Sequence, residues 1–238
     1  MSPPNLLLIG SLVGGCLLSS CCPPEKGDCG ETTGEDAWTT LLKGDSLDGW
    51  EVISYAGHGE VSFKEGAVRI AQGEALSGVR YTGEVELPTT DYEVELEARR
   101  IMGTDFFCCL TFPFQKEHAS WVLGGWGGSV VGISSIDHMD AYDNETMKVR
   151  EFNDEQWYKL RLRVTDHRIQ AWIDNEDSVV NVNVKGRTVG MRFGEIEDSV
   201  PFGLSTFAVT GEMRNVRIRP LTDAEVQEAL ALDDQDEL

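Results

Sequence analysis

The chain has 238 residues, 41% of them hydrophobic, which is enough to bury one substantial core. Its 41 acidic and 20 basic side chains leave a formal charge of −21 and a pI near 4.4. Phosphate backbones and anionic headgroups repel such a surface, so nucleic acid and direct membrane-surface binding are excluded and neutral or cationic partners remain.

Residues 1–20 contain no Asp, Glu, Lys or Arg and carry an apolar run from Leu6 to Leu18 interrupted by Gly and Ser. The run is short for a transmembrane helix and suits the apolar region of a signal peptide. Leu18-Ser19-Ser20-Cys21 resembles a bacterial lipobox, in which the cysteine is lipidated and becomes the mature N-terminus; Val13-Gly14-Gly15-Cys16 is a second candidate. The expectation is export to the cell envelope, with residues 1–20 as a lipoprotein-type signal peptide and Cys21 as lipid anchor. Simple secretion is the alternative. Residues 21–36, rich in Pro, Gly, Glu and Thr without apolar periodicity, read as a flexible linker.

From residue 37 to 221 the dominant signal is period-two alternation, the mark of strands with one buried face. Candidate strands follow in order: Val61–Phe63, Ala67–Ala71, 92–98, Phe106–Phe112, Trp121–Leu123, Val130–Ser134, 158–164, 169–173, Val179–Val184, Phe202–Val209 and Met213–Arg219. Tyr92, Val94, Leu96 and Ala98 alternate with Glu93, Glu95, Glu97 and Arg99, and Tyr158, Leu160, Leu162 and Val164 with Lys159, Arg161 and Arg163. The glutamate row calls for water or cations opposite it, such as Arg161 and Arg163. Lys64-Glu65-Gly66, Asp166-His167, Asn175-Glu176-Asp177 and Thr210-Gly211-Glu212 read as turns. The pattern predicts an all-β, two-sheet antiparallel jelly-roll sandwich. Beyond it, residues 222–238 open with a capping-box pattern at Thr222 and Glu225, then place Val226, Ala229 and Leu230 at helical spacing. They predict a short amphipathic helix ending in a solvated acidic tail.

Cys108 and Cys109 are adjacent in a strand, so their side chains point to opposite faces and do not bond each other. No zinc spacing, HExxH, GxSxG elbow, phosphate loop or dinucleotide fingerprint occurs, which argues against zinc proteases, serine hydrolases and nucleotide enzymes. Two segments stand out. Trp126 sits between four glycines (124, 125, 127 and 128), where an indole is either left open to a ligand or packed in the sandwich. The densest polar cluster follows: Asp137, His138, Asp140, Asp143, Asn144 and Glu145. Carboxylates beside a histidine suit acid–base work or a divalent cation, and equally a solvated connection. Arg192, with Glu195 and Glu197 nearby, suits pairing with a carboxylate or a sugar hydroxyl. A neutral carbohydrate is the partner class that the charge and the polar–aromatic inventory admit.

Leu42-Lys43-Gly44-Asp45-Ser46-Leu47-Asp48-Gly49-Trp50 resembles the "L-F-N-G-K-D-L-S-G-W" opening of the 3-keto-disaccharide hydrolase domain family. Met213-Arg214-Asn215-Val216-Arg217-Ile218 resembles its closing "F-R-N-I-R-I" strand. Glu155-Gln156-Trp157-Tyr158 and Ala171-Trp172-Ile173-Asp174-Asn175 are similar to its "E-W-N" strand and "W-L-N-G" hairpin. The resemblance implies a concanavalin A-like sandwich and cleavage of 3-keto-glycosides by base-assisted elimination and rehydration. The chain departs from the family at residues 121–128 and 203–206, where concave-face chemistry would be expected. The working expectation is a site near Trp126, with His138 or a carboxylate such as Asp143 as base and Arg192 as anion stabiliser. Asp137, Asn144 and Glu145 are the expected substrate contacts. No cofactor is required, a divalent cation is left unassigned, and the alternatives are a non-catalytic carbohydrate-binding module or a structural envelope lipoprotein.

Overall fold

A computed structural model describes residues 38–43, 46–174 and 176–236. The expected signal peptide, linker and lipid anchor Cys21 lie outside the described residues. In chain order the elements are β1 (Thr39–Thr40), β2 (Trp50–Val52), β3 (Val61–Lys64), β4 (Ala67–Ile70), β5 (Leu76–Tyr81), β6 (Tyr92–Gly103), β7 (Cys108–Phe114), β8 (Glu117–Gly124), the single turn α1 (Gly125–Gly128), β9 (Val130–Ser134), β10 (Lys148–Val149), β11 (Tyr158–Val164), β12 (Arg168–Ile173), β13 (Val180–Asn183), β14 (Gly203–Phe207), β15 (Val209–Pro220) and α2 (Asp223–Asp236). The first sheet runs β13-β12-β11-β6-β15-β4-β3, with β1 added to β15; the second runs β10-β9-β8-β7-β14-β5-β2. Each pairing is antiparallel, so the expected sandwich is present.

Alternation decides which side chains meet between the sheets. Val94, Leu96, Leu160, Leu162, Ile169 and Ile173 of the first sheet meet Leu110, Phe112, Trp121, Leu123 and Ile133 of the second in one core. Trp121 is fully buried, and a large apolar side chain removed from water in this way contributes about 1.5–3 kcal/mol. Cys108 joins that core while Cys109 faces the other way, and both are free thiols.

The outer face of the first sheet carries the expected glutamate row. Glu93 receives Arg163 at 3.0 Å and Arg219 at 2.8 Å, Glu95 receives Arg217, and Glu97 receives Arg214. Guanidiniums also lie over indoles, Arg161 over Trp172 at 3.9 Å and Arg214 over Trp157 at 4.0 Å.

Three local expectations are corrected. Residues 202–209 are not one strand, because Ala208 takes a left-handed φ of 48° and passes the chain from β14 in one sheet to β15 in the other. Thr210-Gly211-Glu212 is not a turn but lies inside β15, where a register shift against β6 absorbs the irregularity. The acidic end of the last helix is not wholly solvated. The capping box forms, with the Glu225 amide on Thr222 Oγ1 at 3.3 Å and the Thr222 amide on Glu225 Oε2 at 2.9 Å. Farther along, Asp233 is 5% exposed and accepts from Arg168 Nε at 2.8 Å. Glu225 and Glu228 reach Arg163 at 3.3 Å each, so α2 lies against β11 and β12 through ion pairs.

Candidate functional site

The outer face of the second sheet carries the pocket. Register places Ser205, Cys109, Val122 and Gly132 in one cross-strand row and Gly203, Thr111, Ser120 and Ser134 in the next. Leu76 and Phe207 face each other one row beyond Ser205. The segment 191–199, ending in a 3-10 turn at Glu195–Ser199, arches over this face. Together they enclose a cleft of about 350 Å3, within the usual range for small-molecule sites.

Hydroxyls pin the arch to the sheet. Thr111 Oγ1 lies 3.2 Å from Ser120 Oγ and 2.6 Å from Ser199 Oγ, and Ser199 donates to the Ile196 carbonyl at 2.6 Å. Tyr55 meets Ser205 Oγ at 3.3 Å, and burial pushes its hydroxyl up to about 12. Cys109, on the floor, is 2% exposed, and burial pushes its thiol up to about 12. It therefore stays a neutral thiol and is a poor nucleophile.

Trp126 reaches the cleft because α1 is barely helical. Trp126 has φ 49° and ψ 53°, and Gly127 has φ 90°, a conformation that costs glycine nothing. The turn is tied down by Asp105, whose carboxylate accepts from the Gly127 amide at 3.2 Å and the Phe106 amide at 2.8 Å. The indole is 39% exposed and stacks on Tyr142, with ring centroids 6.0 Å apart and planes at 27°.

Arg192 lines the same cleft, its Nη1 3.3 Å from Asp140 Oδ2, while Ser134 Oγ donates to Asp140 Oδ1 at 3.1 Å. Three residues later Glu195 lines it too, and among the described residues its carboxylate makes no hydrogen bond or ion pair.

The structure thus brings Trp126 and Arg192 together and draws Asp140 to them from the polar cluster. It puts the rest of that cluster elsewhere. His138 and Asp143 are exposed and do not line the cleft, whereas Glu195, also exposed, does. His138, at φ 65°, and Asp137, at φ 51°, form the tight reversal between Ile136 and Met139. Asp137 accepts from the Thr188 amide at 2.9 Å and from Arg187 Nε at 2.9 Å. The Thr188 amide first, then Arg187, hold its carboxyl below the usual range. Glu145 pairs with the same Arg187. Asn144 is buried: its amide donates to the Ile133 and Met139 carbonyls at 2.8 and 3.0 Å, and its oxygen accepts from Thr146. Asp137 and Glu145 are thus engaged by Arg187 and Thr188, Asn144 is bonded within the loop, and none of the three lines the cleft. Among the described residues no group of three or more His, Cys, Asp or Glu forms a cation site.

Asp105, Phe106, Phe207 and Phe193 escaped the sequence reading as site residues. Phe193, 92% exposed between Arg192 and Gly194, carried the clearest signal, a large aromatic in a polar loop.

Comparison with known proteins settles the relationship. Residues 37–219 match the 3-keto-alpha-glucoside-1,2-lyase-like domain. The chain belongs to that family. No curated protein matches it. Among solved structures, Crh5 transglycosylase in complex with NAG aligns at 12% identity and a TM-score of 0.52 over 79% of this chain and 85% of that one. The Emp46p carbohydrate recognition domain aligns at 14% identity and 0.51 over 77% and 95%. At these identities the likeness is one of fold, and it agrees with the sandwich of this 3-keto-alpha-glucoside-1,2-lyase-like domain.

Proposed function

We propose that the domain cleaves a neutral 3-keto-glycoside held in the outer cleft of the second sheet. The observation that carries this reading is the presence of one guanidinium, Arg192, and one open carboxylate, Glu195, three residues apart on the arch over an otherwise weakly polar cleft. Ordinary glycosidases need two working carboxylates across the bond. Here Asp105 is spent on backbone amides and Asp140 on Arg192 and Ser134.

Elimination asks for less. The C3 ketone acidifies the C2 proton, which Glu195 removes. The electron pair rests as the C3 enolate beside Arg192, whose charge stabilises it. It then forms the C1–C2 double bond and expels the C1 oxygen, which takes up a proton and leaves as an alcohol. Water adds across that double bond, hydroxyl to C1 and proton to C2, so one water is consumed overall. Family membership supports the substrate class, and the net charge of −21 disfavours anionic substrates.

The test is incubation of the purified chain with 3-keto-trehalose, following glucose release. Glu195→Gln is expected to lower kcat roughly 10²–10⁴-fold, the range of a lost general base, with the circular dichroism spectrum unchanged. An undiminished rate removes Glu195 from the mechanism. The exposed Trp126–Tyr142 stack favours a second reading, glycan binding without cleavage; binding of intact trehalose with no release from its 3-keto form would select it.

A further inference from the structure

We infer that the cleft is shaped for a glycoside whose leaving group is uncharged and aromatic rather than a second sugar. The inference rests on the cleavage reading above and assigns the two ends of the same cleft.

Polarity is segregated diagonally across the sheet. At one corner Ser134 on β9 and Arg192 both engage Asp140, at 3.1 and 3.3 Å, and Arg192, 58% exposed and held there through Nη1, keeps guanidinium donors for the hydroxyls and ketone of a keto-sugar. At the opposite corner Leu76 on β5 and Phe207 on β14 face each other, and the Phe207 ring lies 5.7 Å from that of Phe106 at 43°. β9 and β14 are separated by β8 and β7, and Phe207 lies four residues along β14 from the row that holds Ser134, so three strand spacings of ~4.8 Å and four residues of ~3.3 Å set the corners about 20 Å apart. That span accommodates a pyranose and one further ring. Between them the floor is Val122, the neutral thiol of Cys109 and Ser120, whose hydroxyl already lies 3.2 Å from Thr111 Oγ1, so it offers a ring face little to bond.

A hexose placed against Leu76, Phe106 and Phe207 would give up water around several hydroxyls and find no side-chain partner on those three residues, and each such loss is costly. A six-membered aromatic ring loses nothing there and covers apolar surface. Of the polar groups nearby, Tyr55 and Ser205 are buried and already bonded to each other, and the Asp105 carboxylate is held by the Phe106 and Gly127 amides. Phe193 lines the same cleft at 92% exposure and gains a partner when an apolar ring fills it. The acidity of the chain keeps the expected ring uncharged.

The test compares the 3-keto forms of benzyl glucoside and trehalose on the full chain, supplying both anomers of the benzyl compound. Benzyl alcohol is a poorer leaving group than a sugar hydroxyl, so faster turnover of the benzyl substrate cannot come from leaving-group chemistry. The expected result is a kcat/KM at least tenfold higher for the benzyl compound, with Phe207→Ala bringing the ratio toward one. Both substrates turned over with equal or greater kcat/KM for the disaccharide overturns the inference and leaves the cleavage reading standing. If neither is turned over, the cleavage reading fails. Calorimetry with unoxidised benzyl glucoside and trehalose then decides the inference, which is lost if the benzyl compound binds no more tightly.

Discussion

Replacing Glu93 by glutamine removes the charge at the centre of the outer face of the first sheet. The carboxylate is 2% exposed and holds Arg163 at 3.0 Å, Arg219 at 2.8 Å and Arg161 at 3.4 Å. Arg163 and Arg219 are themselves only 9% and 11% exposed, so water cannot replace the lost partner freely. Breaking a buried pair costs about 3–5 kcal/mol. The low end applies here, because Glu225 still reaches Arg163 at 3.3 Å and Arg219 at 2.7 Å, and Trp172 still backs Arg161. A loss of about 3 kcal/mol lowers Tm by roughly 6–12 °C in a domain of this size. The control lies two residues along the strand: Glu95 pairs with Arg217 at exposures of 32% and 45%, and Glu95→Gln should cost no more than about 1 kcal/mol. Urea unfolding followed by tryptophan fluorescence measures both. Equal losses in the two variants, or a loss near 1 kcal/mol for Glu93→Gln, would show that burial does not set the strength of this network.

Two further outcomes follow from the same geometry. The Arg219 side chain first, with the Thr222 amide and hydroxyl adding to it, lowers the Glu225 carboxyl from its ordinary 4.5 to about 2, against the opposing effect of burial. A depressed folded-state pKa means that the stabilisation is full above the unfolded value and is lost as pH falls through the folded one. The advantage of the wild type over Glu225→Gln in unfolding free energy should therefore be constant above about pH 4.5, shrink below it and vanish near pH 2; a pH-independent difference contradicts a stabilising Glu225–Arg219 pair. Asn144→Ala should destabilise the domain by about 1–3 kcal/mol by orphaning buried partners, while glycan affinity measured by calorimetry on the folded protein stays within a factor of two. A selective loss of affinity at unchanged stability would return Asn144 to the site.

Much of the fold was legible because period-two alternation is a local signal with one physical cause, the burial of one face of a strand. Tyr92 to Ala98, Tyr158 to Val164 and Ile169 to Ile173 declare their inward sets without help, and the opposing positions of Cys108 and Cys109 follow from the same rule. The capping box at Thr222 and Glu225 is local in the same sense. Thr210-Gly211-Glu212 misled for the converse reason: its residues favour a turn, but pairing with both β4 and β6 holds them in a long strand. The fate of Asp233 was equally invisible, since Arg168 lies 65 residues away in the chain.

The site divides along the same line. Residue type marked Trp126 among its glycines and Arg192 in its loop, because an exposed indole and a lone guanidinium carry their chemistry wherever they stand. The polar cluster after residue 136 could not be sorted by type: Asp140 turns to Arg192, Asp137 and Glu145 turn to Arg187, and Asn144 turns inward. The chain by itself determined the sandwich, the faces of its strands and the family, each written in short-range patterns of polarity. Tertiary structure alone decided which carboxylate stays open and where the apolar corner of the cleft lies. Those depend on register between β9, β8, β7, β14 and β5 and on the arch of residues 191–199, which join positions more than a hundred residues apart.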